Sequence, residues 1–98
     1  MIQLDQVTDE DFRPFLQQSF RIADPSGGAM DAVLVKIAVG QIQGSGRRQF
    51  SLLFRGAAEP VWPQKIYSVE NGALGKMEIF LVPVAKTAAG TDYEAVFA

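Results

Sequence analysis

The chain has 98 residues, nine lysines and arginines against eleven aspartates and glutamates, a net charge of −2, and neither histidine nor cysteine. Without histidine it lacks the side chain that titrates near neutral pH and the commonest ligand for zinc, copper and haem; without cysteine it has no disulfides and no thiolate chemistry. A chain this long builds one hydrophobic core, so residues 1–98 are read as a single β-rich domain, with the cytoplasm as its natural compartment.

The opening Met1-Ile2-Gln3-Leu4-Asp5 lacks the basic and apolar regions of a signal peptide, and no stretch reaches the ~20 apolar residues of a membrane span. Thr8-Asp9-Glu10-Asp11 then signals a helix start: Thr8 can cap, Asp11 sits at the reciprocal position, and three acids face the positive end of the helix dipole. Phe12, Phe15 and Leu16 supply apolar positions, but Pro14 removes a backbone donor and limits the helix to one or two turns that plug the core. Gln18-Ser19-Phe20-Arg21-Ile22 alternates as a strand, and Asp24-Pro25-Ser26-Gly27-Gly28 has turn chemistry, so a hairpin is predicted.

Ala32 to Val39 is expected as a central strand with Val33, Val35, Ile37 and Val39 on one face and Lys36 on the other. A flexible Gly40–Gly46 loop leads to the strand Gln49 to Arg55, with Phe50, Leu52 and Phe54 on one face and Ser51, Leu53 and Arg55 on the other, ending at Gly56. Pro60 and Pro63 make residues 59–64 an ordered connection to a short strand, Lys65 to Val69. After a turn at Glu70-Asn71-Gly72, Lys76 to Val84 is expected as the longest strand. Met77, Ile79 and Leu81 share one face, and Phe80, Val82 and Val84 share the other, so its far end is expected to be covered on both sides. Ala88-Ala89-Gly90 turns into a last strand, Thr91 to Phe97, with Tyr93, Ala95 and Phe97 inward and Asp92 and Glu94 outward. The fold class is therefore all-β: a six-stranded antiparallel meander forming a small barrel or sandwich, with a short N-terminal helix.

Phe50-Ser51-Leu52-Leu53-Phe54-Arg55-Gly56, Pro63-Gln64, Phe80-Leu81-Val82-Pro83-Val84 and Tyr93-Glu94-Ala95-Val96-Phe97 together resemble a family of short bacterial proteins classified as a domain of unknown function. The resemblance covers roughly residues 12–98. It implies a compact β-rich unit, with some members encoded beside proteins similar to phage-tail collar or tail-fibre components, and it carries over no catalytic residue.

The chemistry available to such a chain is limited. Ser51 and Ser68 lack a histidine to activate them and fit strands better than nucleophilic roles. Asp92 and Glu94 lie two apart on one strand face, the spacing of an outward polar row, and Asp9, Glu10 and Asp11 serve helix capping better than a metal. Gly44-Ser45-Gly46-Arg47-Arg48 has the look of an anion loop but lacks the other phosphate-loop positions and a following helix. Lys36, Arg47, Arg48, Arg55 and Lys65, with Phe54 or Trp62 as platforms, are the residues nucleic-acid binding would use; the acidic balance ranks that below a protein partner.

Three residues are candidates for partner binding. Trp62, in a rigid proline-flanked loop, is either an interface anchor or a cap on the core. Phe80 is covered either by the N-terminal helix or by another chain, and Arg55 is expected to pair with Glu94 or Glu78 across strands. The expectation is a non-catalytic structural or protein-interaction module, in a phage-tail-like assembly if the resemblance extends to setting. Its partner is another protein or itself, with no metal, cofactor or membrane. A small-ligand-binding barrel or an unconventional enzyme is the alternative.

Overall fold

The computed structural model describes residues 7–42 and 48–97. Helix α1 (Asp9–Phe12) runs into a 3-10 turn at Arg13–Phe15, and six strands follow: β1 (Ser19–Ala23), β2 (Ala29–Ile42), β3 (Arg48–Gly56), β4 (Lys65–Asn71), β5 (Gly75–Thr87) and β6 (Gly90–Phe97). The Thr8 N–H donates to the Asp11 carboxylate at 2.9 Å, the reciprocal cap that the sequence predicts. Pro14 lies in the 3-10 turn that ends the helical segment, where its missing donor costs little. Among the described residues no helix is long and apolar enough to cross a membrane.

The strands form a closed antiparallel barrel in the order β1-β2-β3-β6-β5-β4. The ring closes where β4 meets β1, through Arg21↔Glu70, Ile22↔Val69 and Ala23↔Ser68. This corrects the expected single meander. The chain makes two three-stranded meanders, β1-β2-β3 and β4-β5-β6, joined edge to edge by β3 with β6 and β1 with β4. The reason lies between Gly56 and Lys65: a stretch holding Pro60 and Pro63 cannot turn tightly and lay β4 on β3, so the chain crosses the barrel's end instead.

The inward positions form one core. Phe20, Ile22, Leu34, Leu52, Phe54, Tyr67, Val69, Met77, Leu81 and Tyr93 are all fully buried. Phe12 enters from the end where β3 begins, its ring centroid 6.0 Å from Phe50 and 5.8 Å from Phe97, and those two rings stack at 4.7 Å across the β3–β6 pairing. The helical segment is thus a plug, as its apolar spacing predicts.

Two face assignments and one strand length differ from expectation. In β2 the inward residues are Ala32 and Leu34, because the register slips between Leu34 and Lys36 and Val35 bulges; the expected odd-numbered face is inward only from Ile37, opposite Leu52. The longest strand is β2, at 14 residues, rather than β5, at 13. The outer face of β5 is open rather than covered: Phe80 and Val84 are both exposed, since α1 closes the barrel's end and does not lie along its side. β5 also slips register at Pro83, where the missing N–H interrupts the ladder.

Gly90 starts β6 with φ +143, and a Cβ there would lie 2.2 Å from the Gly56 carbonyl oxygen. Gly90→Ala is expected to lower the unfolding free energy by about 3 kcal/mol or more, combining backbone strain with a displaced strand. Gly72→Ala, with open space around the new methyl, should leave the urea midpoint nearly unchanged.

Candidate functional site

The connection from β3 to β4 passes over one end of the barrel and is bound in turn by the strands it crosses. The Thr91 hydroxyl of β6 donates to the Ala58 carbonyl at 3.0 Å, and Lys86 of β5 pairs with Glu59. The Trp62 N–H then donates to the Tyr93 hydroxyl at 2.8 Å, and the Tyr67 hydroxyl of β4 donates to the Pro63 carbonyl. Both tyrosines are buried in the core and extend only their hydroxyls to the loop, an apolar body with a satisfied polar tip. Burial pushes the Tyr67 phenol above its ordinary value, with the Asp24 charge acting in the same direction.

Trp62 is half-buried and belongs to this cap, its ring 5.4 Å from that of Tyr67. Arg55 makes the other fixed contact at this end: its guanidinium meets the Asp92 carboxylate in two bonds, at 2.7 and 3.1 Å. This corrects the expected pairing with Glu94 or Glu78. Arg55 and Asp92 are direct cross-strand partners, whereas Glu94 stands opposite Leu53, and Glu78 lies in β5, a strand that β3 does not touch. It also corrects Asp92 as a solvated outer residue, since its carboxylate is buried beneath the guanidinium. Asp92 in turn holds the Arg55 guanidinium above its ordinary pKa, first by hydrogen bonding and then by charge. These contacts are structural, so Arg55 does not stand free for a partner.

Phe80 does. Its side chain points outward from β5, 51% exposed, directly opposite Ile66 of β4, 53% exposed. Two residues further along β5, Val82 faces Glu94, and two residues beyond Glu94 stands Val96, 57% exposed. Val96 faces Ser51 of β3, which faces Ala38 of β2. Ile66 and Phe80 on β4 and β5, and Val96, Ser51 and Ala38 on β6, β3 and β2, thus make an uncharged row on the outside of the barrel, its β5–β6 step lying one position past the last ladder pair; Lys36, Leu53, Glu94 and Val82 flank it on one side. Ile66 and Val96 were not singled out from sequence. Their signal is phase: Ile66 alternates with the buried Tyr67, and Val96 shares the outward phase of Glu94, so each is apolar where the pattern calls for a polar residue.

The other sequence candidates are not brought together. Arg55 and Lys65 are tied to Asp92 and Asp24, and Phe54 is buried inside the barrel, so these three are not available to the basic surface with aromatic platforms that nucleic-acid binding would use. The Gly44-Ser45-Gly46-Arg47 stretch lies outside the described residues. Among the described residues no three acidic side chains lie close enough to hold a metal ion. Asp24 closes the β1–β2 turn instead, accepting from the Lys65 ammonium at 2.8 Å and from the Ser26 N–H and hydroxyl at 2.9 Å.

The family model described as a domain of unknown function (DUF6916) matches residues 7–97. No curated protein and no solved structure matches the chain.

The cap generates two predictions. Trp62→Ala should lower the unfolding free energy by about 2 kcal/mol, less than a fully buried tryptophan because part of the ring meets solvent; urea denaturation reads it. The Lys65 and Ser26 bonds lower the Asp24 pKa from 3.8 to about 2, so its folded-state value lies below its unfolded one. The stability this contributes is complete above the unfolded value and is lost as pH falls from about 4 towards 2. Asp24→Asn should therefore lower the urea midpoint at neutral pH, and the gap from the parent should narrow across that interval.

Proposed function

The chain belongs to the family described as a domain of unknown function (DUF6916), and from that premise we propose that it is a non-catalytic protein-binding module that docks its partner on the outer face of the barrel. The observation that carries this reading is the outward row of Ile66, Phe80 and Val96, each more than half exposed on neighbouring strands. Isolated exposed apolar residues are ordinary on a protein surface. A contiguous set on a rigid sheet is not, since it leaves apolar area in water that contact with another surface would remove, at about 25 cal/mol per Å². Phe80 is the natural anchor, because aromatic side chains concentrate binding energy at the centres of interfaces.

Two further features support the same reading. The inward positions of the barrel are filled by the chain's own side chains, so the alternative of a ligand held in the barrel has less to recommend it than a partner held outside. Trp62 and Arg55, the other residues singled out from sequence, are engaged within the fold, which leaves Phe80 as the candidate that presents itself to a partner. A tail-like assembly is the setting that the sequence resemblance implies for such a module.

The test is affinity capture from a lysate of the source organism, using the parent chain and the double variant Phe80→Ser/Ile66→Thr in parallel, with quantitative mass spectrometry. Both substituted side chains are half in water, so the variant should keep its thermal midpoint within a few degrees. A partner recovered in near-stoichiometric amount with the parent should fall about tenfold or more with the variant. Identical recovery with both baits would overturn the reading.

A further inference from the structure

The outer face carries a charge pattern that bears on who the partner is. Lys36, Leu53 and Glu94 stand side by side on β2, β3 and β6, Lys36 facing Leu53 and Leu53 facing Glu94. One row along, Ala38, Ser51 and Val96 stand side by side in the same way. Lys36 and Glu94 are two strands apart, about 10 Å, and do not pair with each other. Among the described residues neither has an ion-pair partner. The result is a positive, apolar and negative sequence centred on β3, with both charges unspent and the apolar residue between them half-buried.

A surface of this kind is complementary to itself under one operation. A two-fold axis along β3 lays Leu53 on its own copy, sets each Lys36 against the other copy's Glu94, and sets each Ala38 against the other copy's Val96. An isologous contact requires this sort of self-matching patch. The axis along β3 also brings Arg55 towards its own copy, but that charge is already met by Asp92. The same operation on the neighbouring strands stacks charges that have no such partner: an axis along β6 sets Glu94 on Glu94, and one along β5 sets Glu78 on Glu78 and Lys76 on Lys76. A partner bearing charge of a single sign would satisfy only one of the two flanking groups.

We infer that a second copy of this chain docks on the outer face of β2, β3 and β6, through a reciprocal match of Lys36 with Glu94 about a two-fold axis that runs along β3 at Leu53. This deepens the reading of the outer face as a docking surface and rests on it, while leaving the Phe80 and Ile66 side of the row open to a different chain. Six small and medium side chains make a contact below the standard size for a permanent dimer, so the association is weak and reversible.

The experiment is sedimentation equilibrium of the purified chain up to about 1 mM, at low and high salt, with Lys36→Glu, Glu94→Lys and the double exchange Lys36→Glu/Glu94→Lys. The parent should show a monomer–dimer equilibrium that weakens with salt. Each single reversal places like charges together twice per dimer and should weaken association about tenfold, while the double exchange should restore it. Both substitutions lie on outward positions, Lys36 exposed and Glu94 half-buried, and circular dichroism checks that each of the three variants remains folded. A parent that stays monomeric throughout, or a dimer indifferent to the single reversals, would overturn the inference. So would a dimer that the double exchange fails to restore. If the parent is monomeric yet captures another protein through Phe80, the docking surface stands and only its occupant is different.

Discussion

The connection between β3 and β4 sets the terms for the rest of the molecule. It joins two strands that are not neighbours, so residues 57–64 must span a barrel end without the ladder bonds that a hairpin would supply. Unpaired peptide groups over a hydrophobic core are costly, and the chain meets that cost with the hydroxyls of Thr91, Tyr93 and Tyr67, while Lys86 adds a side-chain contact to Glu59. The two tyrosines are the decisive members. Each fills the core with its ring and spends its hydroxyl on the loop, so the same residues that exclude water also position the backbone above them. Every buried side-chain nitrogen and oxygen among the described residues has a hydrogen-bond partner, as this arrangement requires.

Much of this was legible in the sequence because it is local. Alternation identified the six strands, the inward face of β6 and the residues that share a face in β3 and β5, and the Asp24–Gly28 turn followed from its residue chemistry. Phe12 as a plug followed from Pro14 ending the helix one turn after it began. What alternation could not supply was pairing. A period of two says which side of a strand faces inward, not which strand lies beside it, so β3 next to β6 and β4 next to β1 were invisible. The β2 bulge was hidden for a related reason: Val33, Leu34 and Val35 are all apolar, so an extra residue among them leaves no break in the pattern.

The candidate site was legible only in part. Phe80 was singled out for being apolar on both faces of its strand, and its exposure comes from where the helix ends up, at the barrel's mouth rather than along its flank. Arg55 was read as a paired charge, but its partner depended on register: Asp92 and Glu94 differ by a single alternation along β6, and only the three-dimensional pairing selects Asp92. The uncharged row on the outer face is a property of five strands read together. No single strand contains enough of it to stand out.

The division into two meanders has a further consequence, for the order of folding and of fraying. Each three-stranded half is assembled from short-range hairpins, yet each exposes an entire inner face until the other arrives, so neither half is stable alone. Two seams must then be made over long stretches of chain. The β3–β6 seam holds seven residue pairs, from Phe50↔Phe97 to Gly56↔Thr91, whereas the β1–β4 seam holds three, with Arg21 meeting a residue 49 positions later. The short seam therefore returns the least ladder energy for a long loop closure, which makes it the last to shut as the chain folds. In the folded molecule it is correspondingly the line along which the ring is expected to open, and amide hydrogens between β1 and β4 should exchange with solvent ahead of those between β3 and β6.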